Sequence, residues 1–151
     1  MNKFQQAEVS GRTLFEKALK GSGITNYEFT QGDYDRVDVF FTAGTTPYCG
    51  ELKFRTYPST AKFFQTEGCM LEKHKYDDMK SIQHISGYTP MYIHIFSDNV
   101  CAMFDLSNHN DPNWIEETKY EKTTMGDRTK IRKAVTYLPI QNASNISKIP
   151  L

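Results

Sequence analysis

The sequence predicts an α/β fold, a sheet covered by helices with its elements in the order α-β-β-β-α-β-β. Two tracts with apolar residues at helical spacing, one near the start and one past the middle, predict the helices. Short tracts rich in β-branched and aromatic residues, broken by turn residues, predict the strands. The length of 151 residues fits one domain, against ~100–200 residues for a typical one. A composition of 38% hydrophobic and 24% charged residues excludes a disordered, collagen-like or coiled-coil chain.

The first helix is predicted from Lys3 to Lys20, where Phe4, Ala7, Gly11, Leu14, Phe15 and Ala18 recur at helical intervals before Gly21-Ser22-Gly23. Tyr27–Thr30, Arg36–Thr42 and Tyr48–Phe54 follow as an antiparallel meander, separated by Gln31-Gly32-Asp33 and by Ala43-Gly44-Thr45-Thr46-Pro47. After an irregular stretch from Arg55 to Glu67, Gly68–Ser86 is predicted as the second helix, bounded by Gly87. Met91–Phe96 and Val100–Leu106 flank Ser97-Asp98-Asn99 as a hairpin, and a polar loop with Trp114 leads to a late strand, Ala134–Pro139. No repeat, linker or low-complexity block divides the chain, so residues 1–151 are read as one domain.

Eighteen basic residues balance eighteen acidic ones, which excludes a protein that coats nucleic acid or anionic membrane by net charge alone. No run approaches the ~18 apolar residues needed to span a bilayer, and the polar start MNKFQQAEVSGR lacks the apolar core of a leader. The expectation is a cytoplasmic chain without a membrane partner. Cys49, Cys69 and Cys101 are odd in number and lack CxxC spacing, so buried free thiols are expected rather than a disulfide framework or a zinc site.

The second and third strands carry charge in an informative register. A hairpin symmetric about Gly44 and Thr45 places Asp38 opposite Glu51 and Arg36 opposite Lys53, all on one face, with Val37, Val39, Phe41, Leu52 and Phe54 on the other. Two carboxylates directly across an antiparallel pair, with Cβ atoms ~4.5–5.5 Å apart, repel unless a cation sits between them. The alternative is a solvated face on which Arg36 and Lys53 neutralise the acids.

Both helices place a charge within an apolar arc. At 100° per residue from Leu71, Ile82 falls at about 20°, Met79 at about 80° and Ile85 at about 320°, so the arc centres near Lys75 at about 40°. From Phe4, Phe15 falls at about 20°, Gly11 at about 340° and Ala18 at about 320°, and Glu8 lands among them at about 40°. Glu16, at about 120°, looks outward. Buried Lys and Glu need partners, which points to a polar site shared with Asp38, Glu51 and Lys53. A snorkelling Lys75 and a frayed first turn exposing Glu8 are the plainer alternative.

Asp38, a short hairpin and then Glu51-Leu52-Lys53, set in an α-β-β-β-α-β order, resemble the PD-(D/E)XK nuclease superfamily from about Glu8 to Leu106. Val37 stands where the motif's name has proline. The resemblance implies a restriction-endonuclease-like mixed sheet flanked by helices, and hydrolysis of DNA phosphodiester bonds by metal-activated water. It implies that Asp38, Glu51, the Leu52 carbonyl and, at an outer position, Glu8 ligate Mg²⁺ or Mn²⁺, hard cations that prefer oxygen donors. Lys53 would then orient the water or neutralise developing charge, and Lys75 would hold a phosphate oxygen or the nucleophile. Tyr76, beside it, is read as packing.

Between Lys119 and Lys133 the basic residues Lys119, Lys122, Arg128, Lys130, Arg132 and Lys133 outnumber Glu121 and Asp127. With Arg55 and Lys62, the residues Arg128, Lys130 and Arg132 are candidates to track a DNA backbone, the alternative being a solvated loop and strand edge. His74, His84, His94 and His109 show no metal-ligand spacing. No Walker A, GxGxxG or GxSxG motif occurs. The sequence therefore predicts a small metal-dependent DNA nuclease, of repair or phage type, with oligomeric state open and a dimer compatible. The competing class is a nucleic-acid-binding or assembly protein that keeps the fold without activity.

Overall fold

The structure is a computed structural model, which describes residues 3–31, 37–55, 60–62, 64, 68–110, 112–120 and 130–149. Its elements are α1 (Lys3–Gly21), β1 (Tyr27–Phe29), β2 (Val39–Ala43), β3 (Thr46–Phe54), β4 (Cys69–Glu72), α2 (Lys73–Ser86), β5 (Thr89–Ile95), β6 (Val100–Asp105), β7 (Ile115–Tyr120), β8 (Lys130–Leu138) and β9 (Asn145–Lys148). Six strands form a mixed sheet in the order β1-β2-β3-β5-β6-β9, and three form a second sheet in the order β4-β8-β7. The β3–β5 pair is parallel and its neighbours are antiparallel. A parallel pair needs a long crossover, and β4 and α2 supply it.

The two faces of the large sheet bury different partners. On one, Phe15 and Leu19 of α1 pack with Val39, Phe41, Ile93 and Ile95. On the other, Tyr76 and Met79 of α2 and Cys69, Leu71 and Leu138 of the small sheet pack with Cys49, Tyr92 and Phe104. Gly11 lets α1 press close to the end of β3, since a Cβ built there would lie 2.7 Å from the Phe54 Cβ. All three cysteines are free and buried, as expected. Among the described residues no helix is long and apolar enough to cross a membrane.

The β2–β3 hairpin takes the expected register, pairing Val39 with Gly50, Phe40 with Cys49 and Phe41 with Tyr48 around Gly44, whose φ of 62° needs glycine. Val37 departs from it and packs among Cys49, Tyr92 and Phe104. The backbone turns at Asp38, whose N–H donates to the Gly50 carbonyl at 2.8 Å while its own carbonyl accepts from Thr30 N–H at 2.9 Å. A local break in the ladder of this kind re-aims the side chains before it. Arg36 lies outside the described residues.

The expected helix over 68–86 is instead a strand followed by a helix. Cys69 and Leu71 are fully buried while Met70 and Glu72 are not, a period of two, and β8 satisfies the main chain of this strand. The helix begins at Lys73 and ends where Gly87, at φ 77°, donates its N–H to the Gln83 carbonyl at 2.8 Å. Ile85, expected on the packed arc, is 77% exposed. β7 and β9 are additional strands, and β8 starts at Lys130 rather than Ala134.

Candidate functional site

The site forms where β2 begins, β3 passes beside it and α2 starts. Asp38 stands just before β2, and its Oδ2 accepts the Leu52 backbone N–H at 2.8 Å. A carboxylate thus takes the place of the next main-chain partner. A strand residue sends its N–H and C=O to the same edge, so the Leu52 carbonyl also faces Asp38. Glu51 and Lys53 follow on a common face of β3 by alternation, the face covered by α2.

Lys75, in the first turn of α2, brings its Nζ to 3.0 Å from Glu51 Oε1, with the Glu51 side chain only 13% exposed. Counted from Tyr76, Met79 lies at about 300°, Ile82 at about 240° and Lys75 at about 260°, so the lysine falls within the packed arc although the helix starts later than expected. Tyr76 is a packing residue, 8% exposed, with its hydroxyl donating to the His109 carbonyl at 2.9 Å. Lys73 turns outward and pairs with Asp77 at 2.7 Å.

Electrostatics follow from this crowding. Burial first, and the Asp38 charge second, push the Glu51 carboxyl up to about 7 against the opposing pull of Lys75 and Lys53. Burial draws the Lys75 ammonium down, but the Glu51 charge and hydrogen bond, with Asp38 and Glu72 behind, outweigh it and its pKa is raised. Lys53 moves the other way, lowered by burial and then by Arg55.

The small sheet brings in Glu72, which sequence reasoning missed. Its carboxylate accepts from Lys133 Nζ of β8 at 3.1 Å and lies 3.2 Å from His74 Nδ1, and its charge reaches Lys53 and Lys75. The period-two burial of Cys69 and Leu71 was the available signal. His94 has no metal-ligand spacing to mark it in the sequence. It lies beside Lys53 in the β3–β5 register, fully buried, with its ring edge-on to Tyr92 at 4.7 Å.

The structure does not gather every expected residue at this site. Glu8 lies on α1, but its side chain is outside the described residues, as is all of Arg128. Lys62 is exposed, and Arg132 on the outer part of β8 pairs with Glu116 at 3.1 Å. Lys130 is likewise exposed on β8, and Arg55 lays its guanidinium over the Phe64 ring, 5.1 Å from the centroid. Among the described residues no three His, Cys, Asp or Glu side chains converge as ligands. Asp38, Glu51 and the Leu52 carbonyl are nevertheless an all-oxygen donor set that suits Mg²⁺, which keeps several waters and takes only one or two carboxylates.

Neither a protein-family model nor a curated protein matches this sequence. Among solved structures, Hjc of Archaeoglobus fulgidus, a Holliday junction resolvase, is similar, with a TM-score of 0.53 and 10% identity over 91% of this chain and 95% of that one. The likeness shows the restriction-endonuclease-like fold.

Proposed function

We propose that the chain is a divalent-metal-dependent nuclease acting on DNA. The observation that carries this reading is the junction of Asp38 and Glu51 on adjoining strands, with Lys53 two residues on and Lys75 bonded to Glu51. Asp38, Glu51 and the Leu52 carbonyl would hold Mg²⁺ or Mn²⁺, with Glu8 as an additional donor from α1. Bound there, the cation would acidify a water and neutralise charge on the phosphodiester.

The chain's own residues do the remainder. Asp38 braces the Leu52 main chain and keeps two donor groups on one edge. Glu51, once deprotonated, is held in place by Lys75. The Lys53 ammonium would orient the attacking water or meet the charge that grows on the phosphate. Arg55, Lys62, Arg128, Lys130 and Arg132 would contact the DNA backbone away from the cleaved bond.

The similar fold belongs to a protein described as a Holliday junction resolvase, so branched DNA joins the substrates to compare. Purified protein is incubated with single-stranded, duplex and four-way-junction DNA in Mg²⁺, Mn²⁺ or EDTA. Cleavage of at least one substrate, dependent on the cation, is expected. Intact DNA in every cation-containing reaction overturns the reading.

A further inference from the structure

Beyond Glu51, the α2-facing side of the sheet carries donors that have nothing to donate to. Among the described residues no hydrogen bond or ion pair engages the Lys53 ammonium. Arg55, two residues on, has a buried Nε without a partner, and its guanidinium rests on an aromatic ring rather than a carboxylate. His94, beside Lys53 on β5, is fully buried with both ring nitrogens unpartnered. Buried polar groups are nearly always satisfied, so the Arg55 Nε and the two His94 ring nitrogens, beside the half-buried Lys53, point to an absent partner.

The three are close neighbours. Lys53 and Arg55 are about 7 Å apart along one strand, and His94 is about 5 Å across the sheet from Lys53. They are near enough to act electrostatically, Arg55 on Lys53 and both on His94. Burial, then those two cations, holds His94 neutral, leaving one N–H to give. The nearby acids are engaged, Glu51 by Lys75 and Glu72 by Lys133 and His74.

We propose that Arg55 and His94, both next to Lys53, form an anion site beside the Asp38–Glu51 pair, and that its ligand is a DNA phosphate adjoining the one to be cleaved. The inference rests on the nuclease reading. A guanidinium and a neutral donor, neither bonded to an acid, match a phosphodiester, and the guanidinium suits its paired oxygens. The donors also continue along β3 from Glu51, so a polyanion seated at the carboxylates runs past them. A water filling the same space is the competing occupant, and it predicts no dependence on DNA charge.

The test uses the full chain and a set of DNA substrates, each carrying one uncharged methylphosphonate at a successive position around the cut. Single-turnover cleavage in Mg²⁺ and equilibrium binding in Ca²⁺ are measured for wild type, Arg55→Met, His94→Phe and, as a comparison, Arg132→Met. One position next to the cut should weaken wild-type binding and cleavage about tenfold, the worth of one hydrogen bond to a charged group. Arg55→Met and His94→Phe should show that loss on unmodified DNA and none further at that position, whereas Arg132→Met should remain additive there.

His94→Phe keeps the ring and removes two unsatisfied nitrogens, so its melting temperature should be unchanged or higher. Additive losses at every position, or a lower melting temperature for His94→Phe with unaltered DNA binding, overturn the anion site. If no DNA is cut but the binding pattern holds, the nuclease reading fails and the anion site stands. If binding is indifferent to position, the anion site fails whatever cleavage does.

Discussion

Asp38 stands close enough to Glu51 for its charge to raise the cost of ionising the Glu51 carboxyl, so this pair does not serve stability. Asp38→Asn keeps an acceptor for the Leu52 N–H, and Glu51→Gln removes a buried acid. Both variants should fold and both should lose cleavage. Cleavage retained in either would remove these residues from the site. The Glu51 carboxyl is raised from 4.5 to about 7, so the folded protein binds more protons than the unfolded chain across that interval. Its favourable contribution is present below pH 4.5 and is lost as pH rises through about 7. Urea unfolding at pH 5 and pH 8 should therefore show a smaller pH-dependent loss in Glu51→Gln than in wild type. Equal losses would mean that Glu51 ionises normally.

Among the elements, α1 depends on one residue for its distance from the sheet. A Cβ at Gly11 would meet the Phe54 Cβ at 2.7 Å, and the obstacle is the base of a side chain rather than its flexible tip. Gly11→Ala should destabilise by about 1–3 kcal/mol despite the better helix propensity of alanine. Chemical denaturation measures this, and an unchanged midpoint would show that α1 can slide outward freely. The β2–β3 hairpin was legible because its turn is short and its apolar residues alternate, so the register from Val39–Gly50 to Ala43–Thr46 could be read directly. Lys75 was legible as well, because its angle to Met79 and Ile82 survives a shift in where the helix starts. The strand β4 was not, since four residues of alternation are lost within a helical reading of their neighbours. β9, exposed at every position, owes its place to pairing with β6, a contact distant in sequence. Glu72 escaped notice, and the place of His94 beside Lys53 was not legible, for the same reason, each reaching the site through non-local strand pairing.

At the scale of the whole molecule, the mixed sheet divides the interior into one layer with α1 and another with α2 and the small sheet. The site lies in the second layer, where β3, β4 and α2 meet, so its geometry depends on both sheets. The net charge is zero, so DNA cannot be gathered by overall attraction and must meet local cations. Lys130 and Arg132 are exposed on the part of β8 that pairs with β7 but not with β4. The double variant Lys130→Gln/Arg132→Gln should weaken DNA binding alike for different sequences and reduce the slope of log affinity against log salt by about 1–2. Anisotropy titrations across a salt series check this, and an unchanged slope would remove β8 from the interface.

With Glu51 as a metal ligand, as proposed, the 3.0 Å contact between Lys75 Nζ and Glu51 Oε1 would confront a divalent ion with a rival already tethered to that ligand. Cation uptake is then an exchange, and measured affinity is a difference between two occupants. A tethered competitor acts at an effective concentration that no salt added at ordinary levels would match. Lys75→Met keeps the apolar stem and removes the rival, so calorimetry should show tighter Mn²⁺ binding. Cleavage by the same variant should nonetheless fall, by ~10²–10³-fold for the loss of one positioned charge, while Lys73→Met changes neither. If Lys75→Met binds Mn²⁺ no more tightly than wild type, the two cations do not compete. With competition, selectivity at this position is set by how readily an ion can evict an ammonium, which disfavours weakly held monovalent ions before any contact with substrate.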